Sequence, residues 1–172
     1  CVKMKNHADV IIVGTGAAGL FCALKLPQNL RIIMITKDEA ENSDSFLAQG
    51  GICMLRSEED YDSYYEDTMK AGHYRNSPES VEMMIRSSRQ IIDLLVGYGV
   101  EFERRDGEFV FTREGGHSHP RILFHEDITG REITGKLLDQ VRRRDNITIY
   151  EHTEMIDILV QDNVCCGVVA VD

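Results

Sequence analysis

"ADVIIVGTGAAGLFCALKL", residues 8–26, is the stretch that decides the fold of this 172-residue chain. It opens with the apolar run Val10 to Val13, which has the length of a buried strand. Glycines follow directly, and then a small-residue helix that Pro27 stops. A second apolar run, "LRIIMIT" at residues 30–36, predicts another buried strand. Because strand, glycine turn, helix and strand follow within about thirty residues, they predict one βαβ unit with parallel strands.

The glycines of this turn predict a dinucleotide site. Gly14, Gly16 and Gly19 form a GxGxxG pattern between a buried strand and a helix. The first glycine allows the tight turn, the second lets the backbone approach a pyrophosphate, and the third lets the helix pack on the strand. The helix start then presents free N–H groups and the positive end of its dipole to the phosphates.

The second strand lacks the acid that would bind the ribose in a generic NAD site. It ends instead in Thr36-Lys37-Asp38-Glu39. Two interpretations stay open: Asp38 or Glu39 serves from the loop, or Thr36 and Lys37 make a different contact. The missing acid disfavours an NAD-dependent dehydrogenase.

The remaining sequence predicts helices, a hairpin and a terminal pair of strands. In chain order we expect a helix capped by Ser57 and ending at Gly72, a helix begun by Ser77-Pro78, a hairpin turning at Asp106-Gly107, a helix from a capping box at 129–132 to residue 144, a strand at 147–150 and two strands within 154–172. The helix after Ser77-Pro78 has an apolar face formed by Val81, Met84, Ile85, Ile92 and Leu95.

Composition excludes several classes of protein. The net charge of -10 argues against a general nucleic-acid-binding surface, which would be basic. No apolar run approaches the length of a membrane span, and the N-terminal residues lack the apolar stretch of a signal peptide. Five cysteines without CxxC pairs suggest neither a disulfide framework nor a zinc site. Cys22, Cys165 and Cys166 lie in apolar runs and are expected to be buried, and a reducing cytoplasm is the expected location.

At "SDSFLAQGGI", residues 43–52, the sequence resembles the succinate dehydrogenase and fumarate reductase flavoprotein family. Members of that family carry a similar stretch beside FAD, and Gln49, Gly50 and Gly51 have the amides and the close backbone approach that a flat, polar-edged ring requires. In the dehydrogenase branch, a histidine of this stretch bonds covalently to the flavin. The aligned position here is Asp44, so the resemblance implies non-covalent FAD.

A second motif narrows the resemblance. "TREGGHSHPRIL", residues 112–123, followed by "HEDITGREI", is similar to the L-aspartate oxidase branch of the family. The resemblance implies oxidation of L-aspartate to iminoaspartate by hydride transfer to FAD, the first step toward quinolinate and NAD. It also implies oxygen or fumarate as the electron acceptor and a functional link to quinolinate synthase.

The resemblance implies the following site residues. At matching positions, FAD contacts come from Gly14, Thr15, Gly16, Ala17, Ala18 and Gly19 at the pyrophosphate, Lys37 after the second strand, Asp44, Ser45, Phe46, Leu47, Ala48, Gln49, Gly50 and Gly51 around the flavin, and Glu154 and Met155 at the adenine. Glu114 occupies the position that orients the substrate, and a carboxylate distinguishes L-aspartate, with its ammonium group, from succinate. His117, Ser118, His119 and Arg121 are expected to supply donors around a dicarboxylate or the flavin edge.

The implied fold class is α/β: a doubly wound Rossmann-like FAD-binding fold with a parallel sheet and an additional β-meander, incomplete in this chain. Residues 1–172 would be the N-terminal part of the FAD-binding domain, without the family's capping and C-terminal domains and later catalytic residues. We therefore expect this piece alone to be inactive and to bind FAD weakly or not at all.

Other interpretations have their own predictions. His117 and His119 with His125 suggest a metal site, but no cysteine or acid cluster completes one, so no metal is expected. Without its motif, Glu114 would be an exposed loop acid. The alternative functions are a fumarate reductase or succinate oxidase of the same fold and a non-catalytic nucleotide-binding module.

Overall fold

The computed structural model describes residues 7–172, and Cys1 lies outside them. The chain divides into a first unit, formed by residues up to Leu47 together with Ile133–Asp172, and a second unit, Ala48–Glu132. The helices are α1 (Ala17–Lys25), α2 (Asp44–Leu47), α3 (Tyr61–Ala71), α4 (Pro78–Gly97) and α5 (Thr129–Arg142), and a 3-10 turn, Glu58–Asp60, precedes α3. The strands are β1 (Val10–Val13), β2 (Ile32–Ile35), β3 (Ile52–Cys53), β4 (Arg104–Arg105), β5 (Glu108–Phe109), β6 (Ile122–Leu123), β7 (Ile147–Tyr150), β8 (Glu154–Gln161) and β9 (Val164–Val171).

The first unit contains the predicted βαβ element. Strands β1, β2 and β7 form a parallel sheet in the order β1-β2-β7, with Val10 opposite Ile32 and Ile32 opposite Ile147. The central strand is the most buried, which explains its uninterrupted apolar sequence. Helix α1 buries Leu20 and Leu24. The α/β fold with a parallel sheet is therefore confirmed.

Where an additional β-meander was predicted, the described residues contain a two-stranded hairpin, β8–β9. Asp162 and Asn163 have φ values of 50° and 61°, the left-handed pair that a primed hairpin turn requires. Most of the hairpin is exposed, including Cys165 and Cys166, and Cys22 is exposed on α1. The prediction that these three cysteines are buried is wrong, because an apolar run in a two-stranded hairpin or on one helix does not decide which face is covered.

The second unit is built around α3 and α4. Its core contains Leu55, Tyr64, Met69, Val81 and Ile85. Helix α4 begins at Pro78, as predicted, and the Oγ atom of Ser77 caps it by accepting a hydrogen bond from the amide of Ser80 at 3.3 Å. The predicted hairpin is present as β4–β5, with Asp106 and Gly107 at φ 53° and 87°. Strand β3 pairs antiparallel with β6.

Three local predictions are wrong. Ser57 occupies the N-cap position of the 3-10 turn, but its hydroxyl makes no capping bond there and donates to the Glu59 carboxylate. Helix α5 begins at Thr129, so Thr129 is not the N-cap that the predicted capping box requires. Its hydroxyl accepts from the His125 amide, and an oxygen of the Glu132 carboxylate accepts from the amide of Glu101. Met84 is 47% exposed, although the other predicted members of the α4 apolar face are buried.

Candidate functional site

The glycine turn of the first unit has the geometry that its sequence predicts. Gly14 has a φ of 103°, in the region that favours glycine, and its amide donates to the Ile35 carbonyl at 2.8 Å. A Cβ atom on Gly19 would overlap the Gly14 carbonyl oxygen. Glycine at position 19 therefore lets α1 begin directly against the end of β1.

The start of α1 is suited to an anion. Gly16 is the N-cap residue in extended conformation and has no side chain to cap the helix. The first turn carries no acid. One first-turn amide, that of Ala17, donates to the hydroxyl of Ser45 at 3.2 Å. A helix start without an acid favours phosphate through its dipole.

Thr15 supports this turn from inside. Its side chain is buried, and its hydroxyl donates to the Ala40 carbonyl at 3.0 Å. Because its hydroxyl hydrogen is already donated, Thr15 can donate to a phosphate only through its backbone amide.

The residues after β2 show which of the two predicted ribose contacts is better placed, Asp38 or Glu39 on one side and Thr36 with Lys37 on the other. Thr36 and Lys37 line the cavity beside the glycine turn, whereas Asp38 and Glu39 do not. The Asp38 carboxylate instead accepts a bond from the Glu39 amide at 2.8 Å, and this bond, followed by one from Asn42, holds the pKa of Asp38 below its ordinary value. The geometry favours the contact from Thr36 and Lys37.

This first-unit cavity has a volume of about 510 Å³. It brings together residues that are far apart in sequence, and all of the following were predicted as cofactor contacts: Gly14, Thr15, Gly16, Lys37, Asp44, Ser45, Glu154 and Met155. Asn42, Ser43 and Thr153 also line the cavity and were not predicted from the sequence. Each lies within two residues of a predicted contact, so chain proximity alone would have suggested them.

Five predicted contacts of the first unit do not line the cavity: Ala17, Ala18, Gly19, Phe46 and Leu47. Ala17 and Ala18 lie in the first turn of α1, Phe46 is half-buried in α2, and Leu47 is 74% exposed. The glycine turn, the acid-free helix start and the exposed Lys37 fit a dinucleotide such as FAD.

A separate cavity of about 560 Å³ lies within the second unit. Its walls come from residues 51–53, from α3 and α4, and from residues 115–117. A Cβ atom on Gly51 would overlap Ile122 and the carbonyl oxygen of Leu123, so the pairing of β3 with β6 requires glycine there. The neighbouring predicted flavin contacts Ala48, Gln49 and Gly50 are exposed.

The four predicted catalytic residues occupy different environments in this unit. Glu114 and His119 are exposed, and a Cβ atom on Gly50 would lie 3.9 Å from a carboxylate oxygen of Glu114. His117 is half-buried and lines the cavity. Arg121 is fully buried.

Arg121 uses all five of its N–H donors inside the protein. Its Nε and one Nη2 hydrogen bind the two oxygens of Asp60, at 3.2 and 2.7 Å. The other Nη2 hydrogen binds the Ser63 hydroxyl at 2.9 Å. Nη1 donates to Asp67 at 2.7 Å and to Nδ1 of His117 at 3.2 Å. The prediction that Arg121 donates directly to a ligand therefore needs correction, since no donor is left over.

The charges of this cluster stabilise one another. Partial burial opposes ionisation of Asp67, but bonds from the Ser118 amide and then from Arg121 outweigh it and lower the pKa of Asp67 to about 2. Burial also opposes ionisation of Asp60, and the Arg121 and Ser63 bonds hold its pKa below the ordinary value. For Arg121, burial is outweighed by the two carboxylates, which raise its pKa.

Two neutral groups complete the cavity wall next to His117. The Sγ atom of Cys53 lies 3.6 Å from Nε2 of His117. Burial, the largest cause, raises the pKa of the Cys53 thiol and also that of the Tyr64 phenol. Both groups are therefore protonated near neutral pH, and the Arg121 guanidinium lies 4.8 Å from the centre of the Tyr64 ring.

Asp60 and Asp67, which pair with Arg121, were not predicted from the sequence. The two acids are seven residues apart, a spacing that places both on one face of a helical segment. That spacing was visible, but the buried arginine that pairs with them is more than fifty positions away along the chain.

Within residues 7–172, no group of three or more histidine, cysteine, aspartate or glutamate residues is arranged to hold a metal ion. No helix in the same range is long and apolar enough to cross a membrane.

Comparison with known proteins gives matches over nearly the whole chain. A family model described as an FAD binding domain matches residues 9–172. L-aspartate oxidase of Clostridium perfringens is 45% identical over 164 residues, which cover 95% of this chain and 37% of that protein. L-aspartate oxidase of Clostridium acetobutylicum is 40% identical over 165 residues, covering 95% and 38%.

A solved structure gives the same result for the fold. A variant of E. coli quinol fumarate reductase superposes with a TM-score of 0.88 at 28% identity, covering 95% of this chain and 29% of that chain. The present chain spans less than two fifths of the length of the curated relatives named above.

Proposed function

We propose a function for this chain from its family: it belongs to the FAD binding domain family. The match confirms the predicted resemblance to FAD-binding flavoproteins, and with it FAD as the cofactor. We infer further that the chain is the N-terminal part of a flavoprotein oxidoreductase, with L-aspartate as substrate and iminoaspartate as product.

The observation that carries this proposal is the placement of Glu114. Its exposed carboxylate lies next to Gly50 of the AQGG stretch, in a chain that is 45% identical to an L-aspartate oxidase. L-aspartate and succinate share two carboxylates and differ by an ammonium group. A carboxylate attracts that ammonium and gains nothing from succinate, so it separates the two substrates.

The chain's own residues then have distinct tasks. The acid-free start of α1 and Lys37 bind the phosphates and ribose of the cofactor. Glu114 binds the substrate ammonium, and His117 and His119 donate hydrogen bonds to substrate carboxylates. When bound, FAD supplies the chemistry by accepting a hydride from the substrate carbon. The residue that removes the proton is not assigned within this chain.

The wider setting follows from the same proposal. Oxygen or fumarate reoxidises the flavin. FAD is bound without a covalent bond, because Asp44 occupies the position of the histidine that links the flavin in the dehydrogenase branch. The product enters quinolinate and NAD synthesis through a functional link to quinolinate synthase. The protein acts in the cytoplasm. Residues 1–172 form the N-terminal part of the FAD-binding domain and, without the remaining segments, are inactive alone.

The test is the substitution Glu114→Gln in the full-length protein loaded with FAD. Losing a charged hydrogen bond costs about 1.5–3 kcal/mol. At about 1.4 kcal/mol per tenfold, the L-aspartate concentration for half-maximal flavin reduction should rise about ten- to hundredfold. The matched control is Glu108→Gln, since Glu108 is an exposed glutamate of the same unit. Unchanged half-saturation in Glu114→Gln would contradict the assignment, and preferential reduction by succinate would indicate the fumarate reductase or succinate oxidase alternative.

A further inference from the structure

His117 has one ring nitrogen whose role is fixed by its partner. Nδ1 lies 3.2 Å from an Nη1 atom of Arg121. A guanidinium only donates hydrogen bonds, so Nδ1 must accept, and an accepting Nδ1 carries no proton. The proton of the neutral ring is then on Nε2.

The other nitrogen faces a weak partner. Nε2 of His117 lies 3.6 Å from the Cys53 sulfur, and thiol sulfur is a poor acceptor. The ring also lines the 560 Å³ cavity of the second unit. The Nε2–H group is therefore available to a stronger acceptor that enters this cavity.

We propose that Arg121, held between Asp60 and Asp67, is a positioning residue that fixes His117 as an Nε2–H donor to a carboxylate of the substrate. The choice of a substrate carboxylate rests on the proposed function. Arg121 does not touch the substrate itself, because its five donors are used within the protein.

The two carboxylates explain why the guanidinium cannot turn away. Asp60 binds it through both oxygens, and Asp67 binds Nη1, the same atom that donates to His117. The side chains of Asp60 and Asp67 are only 10% and 17% exposed, so water competes little for these bonds.

Asp67 also anchors the loop that carries His117. One of its oxygens accepts from the amide and from the hydroxyl of Ser118, both at 2.7 Å. The histidine backbone and its ring are thus both tied to α3 through Asp67. A change at Asp67 therefore disturbs the ring more than a change elsewhere on the helix.

The experiment compares three variants of the full-length, FAD-loaded protein. Asp67→Asn keeps the shape of the side chain but removes its charge, and Arg121→Lys keeps the charge but lacks the planar fork. Asp62→Asn is the matched control, since Asp62 is an exposed aspartate on the same helix. The readouts are stopped-flow flavin reduction against L-aspartate concentration, hydrogen exchange of residues 112–121, and ring-nitrogen resonances of ¹⁵N-labelled histidine assigned with His117→Asn.

In the first two variants we expect half-saturation by L-aspartate to rise about tenfold, the size of one charged hydrogen bond, with a much smaller change in the limiting reduction rate. Exchange in residues 112–121 should accelerate, and the His117 resonances should lose their single Nε2–H pattern. Asp62→Asn should match the wild type in all three.

Two results would overturn the proposal. One is a wild-type His117 protonated at Nδ1; the other is faster loop exchange in Asp67→Asn without any change in half-saturation. If L-aspartate fails to reduce the wild-type flavin, the proposed substrate is wrong. The histidine nitrogen resonances and the exchange data still decide, independently of the substrate, whether Arg121 positions His117.

Discussion

Replacing Gly19 with alanine should damage the cofactor site through one methyl group. The added Cβ would overlap the carbonyl oxygen of Gly14 and come within 3.3 Å of Cγ2 of Ile12. The first of these atoms is backbone at the glycine turn, so α1 or the turn itself must move. Overpacking of this kind costs about 1–3 kcal/mol.

The displaced turn is also the predicted phosphate contact, so the same cost should appear in FAD affinity. At about 1.4 kcal/mol per tenfold, the dissociation constant should rise roughly ten- to hundredfold. The assay is titration of the full-length apoprotein with FAD, followed by the quenching of flavin fluorescence, together with the thermal midpoint of the apoprotein.

Gly135→Ala is the matched control. Gly135 lies within α5, and nothing lies within 4 Å of a Cβ built there. Alanine in a helix is favoured over glycine by about 0.5–1 kcal/mol, so this variant should gain stability and keep its FAD affinity. Equal behaviour of the two variants would refute the close approach of α1 to β1.

Two further predictions concern stability. The pKa of Asp67 is lowered to about 2 in the folded protein from an ordinary 3.8. Its ionised form therefore stabilises the fold above about pH 4, and this stabilisation is lost as the pH falls from there to about 2. At about 1.4 kcal/mol per pKa unit, roughly 2 kcal/mol should disappear between about pH 4 and pH 2, and acid unfolding followed by circular dichroism should be less steep in Asp67→Asn; an equally steep transition would contradict the paired state of Asp67. Ser77→Ala removes the cap of α4 and should cost about 1 kcal/mol, seen as a lower thermal midpoint, whereas an unchanged midpoint would show that the 3.3 Å bond contributes nothing.

The elements that sequence predicted best are those decided by neighbours along the chain. The run from Val10 to Thr36 contains its strand, turn and helix within a short window, and the glycine positions specify the turn. Asp106-Gly107 likewise specifies a hairpin through its own backbone preference. Such local patterns need no knowledge of the rest of the fold.

What sequence could not predict depends on distant partners. Arg121 belongs to a motif that suggested ligand binding, yet Asp60 and Asp67 surround it in the folded chain. Cys165 and Cys166 lie in an apolar run but are exposed, because burial depends on what packs against a strand. Glu132 has the spacing of a capping box, but an oxygen of its carboxylate accepts a hydrogen bond from the distant amide of Glu101.

The most direct measurement is anaerobic reduction of the flavin in the full-length protein. L-aspartate is added to one cuvette and succinate to another, and the absorbance of oxidised FAD is followed. Bleaching by L-aspartate and not by succinate is the expected result. Bleaching by succinate alone, or by neither compound, would contradict L-aspartate as the substrate and leave only the FAD-binding fold.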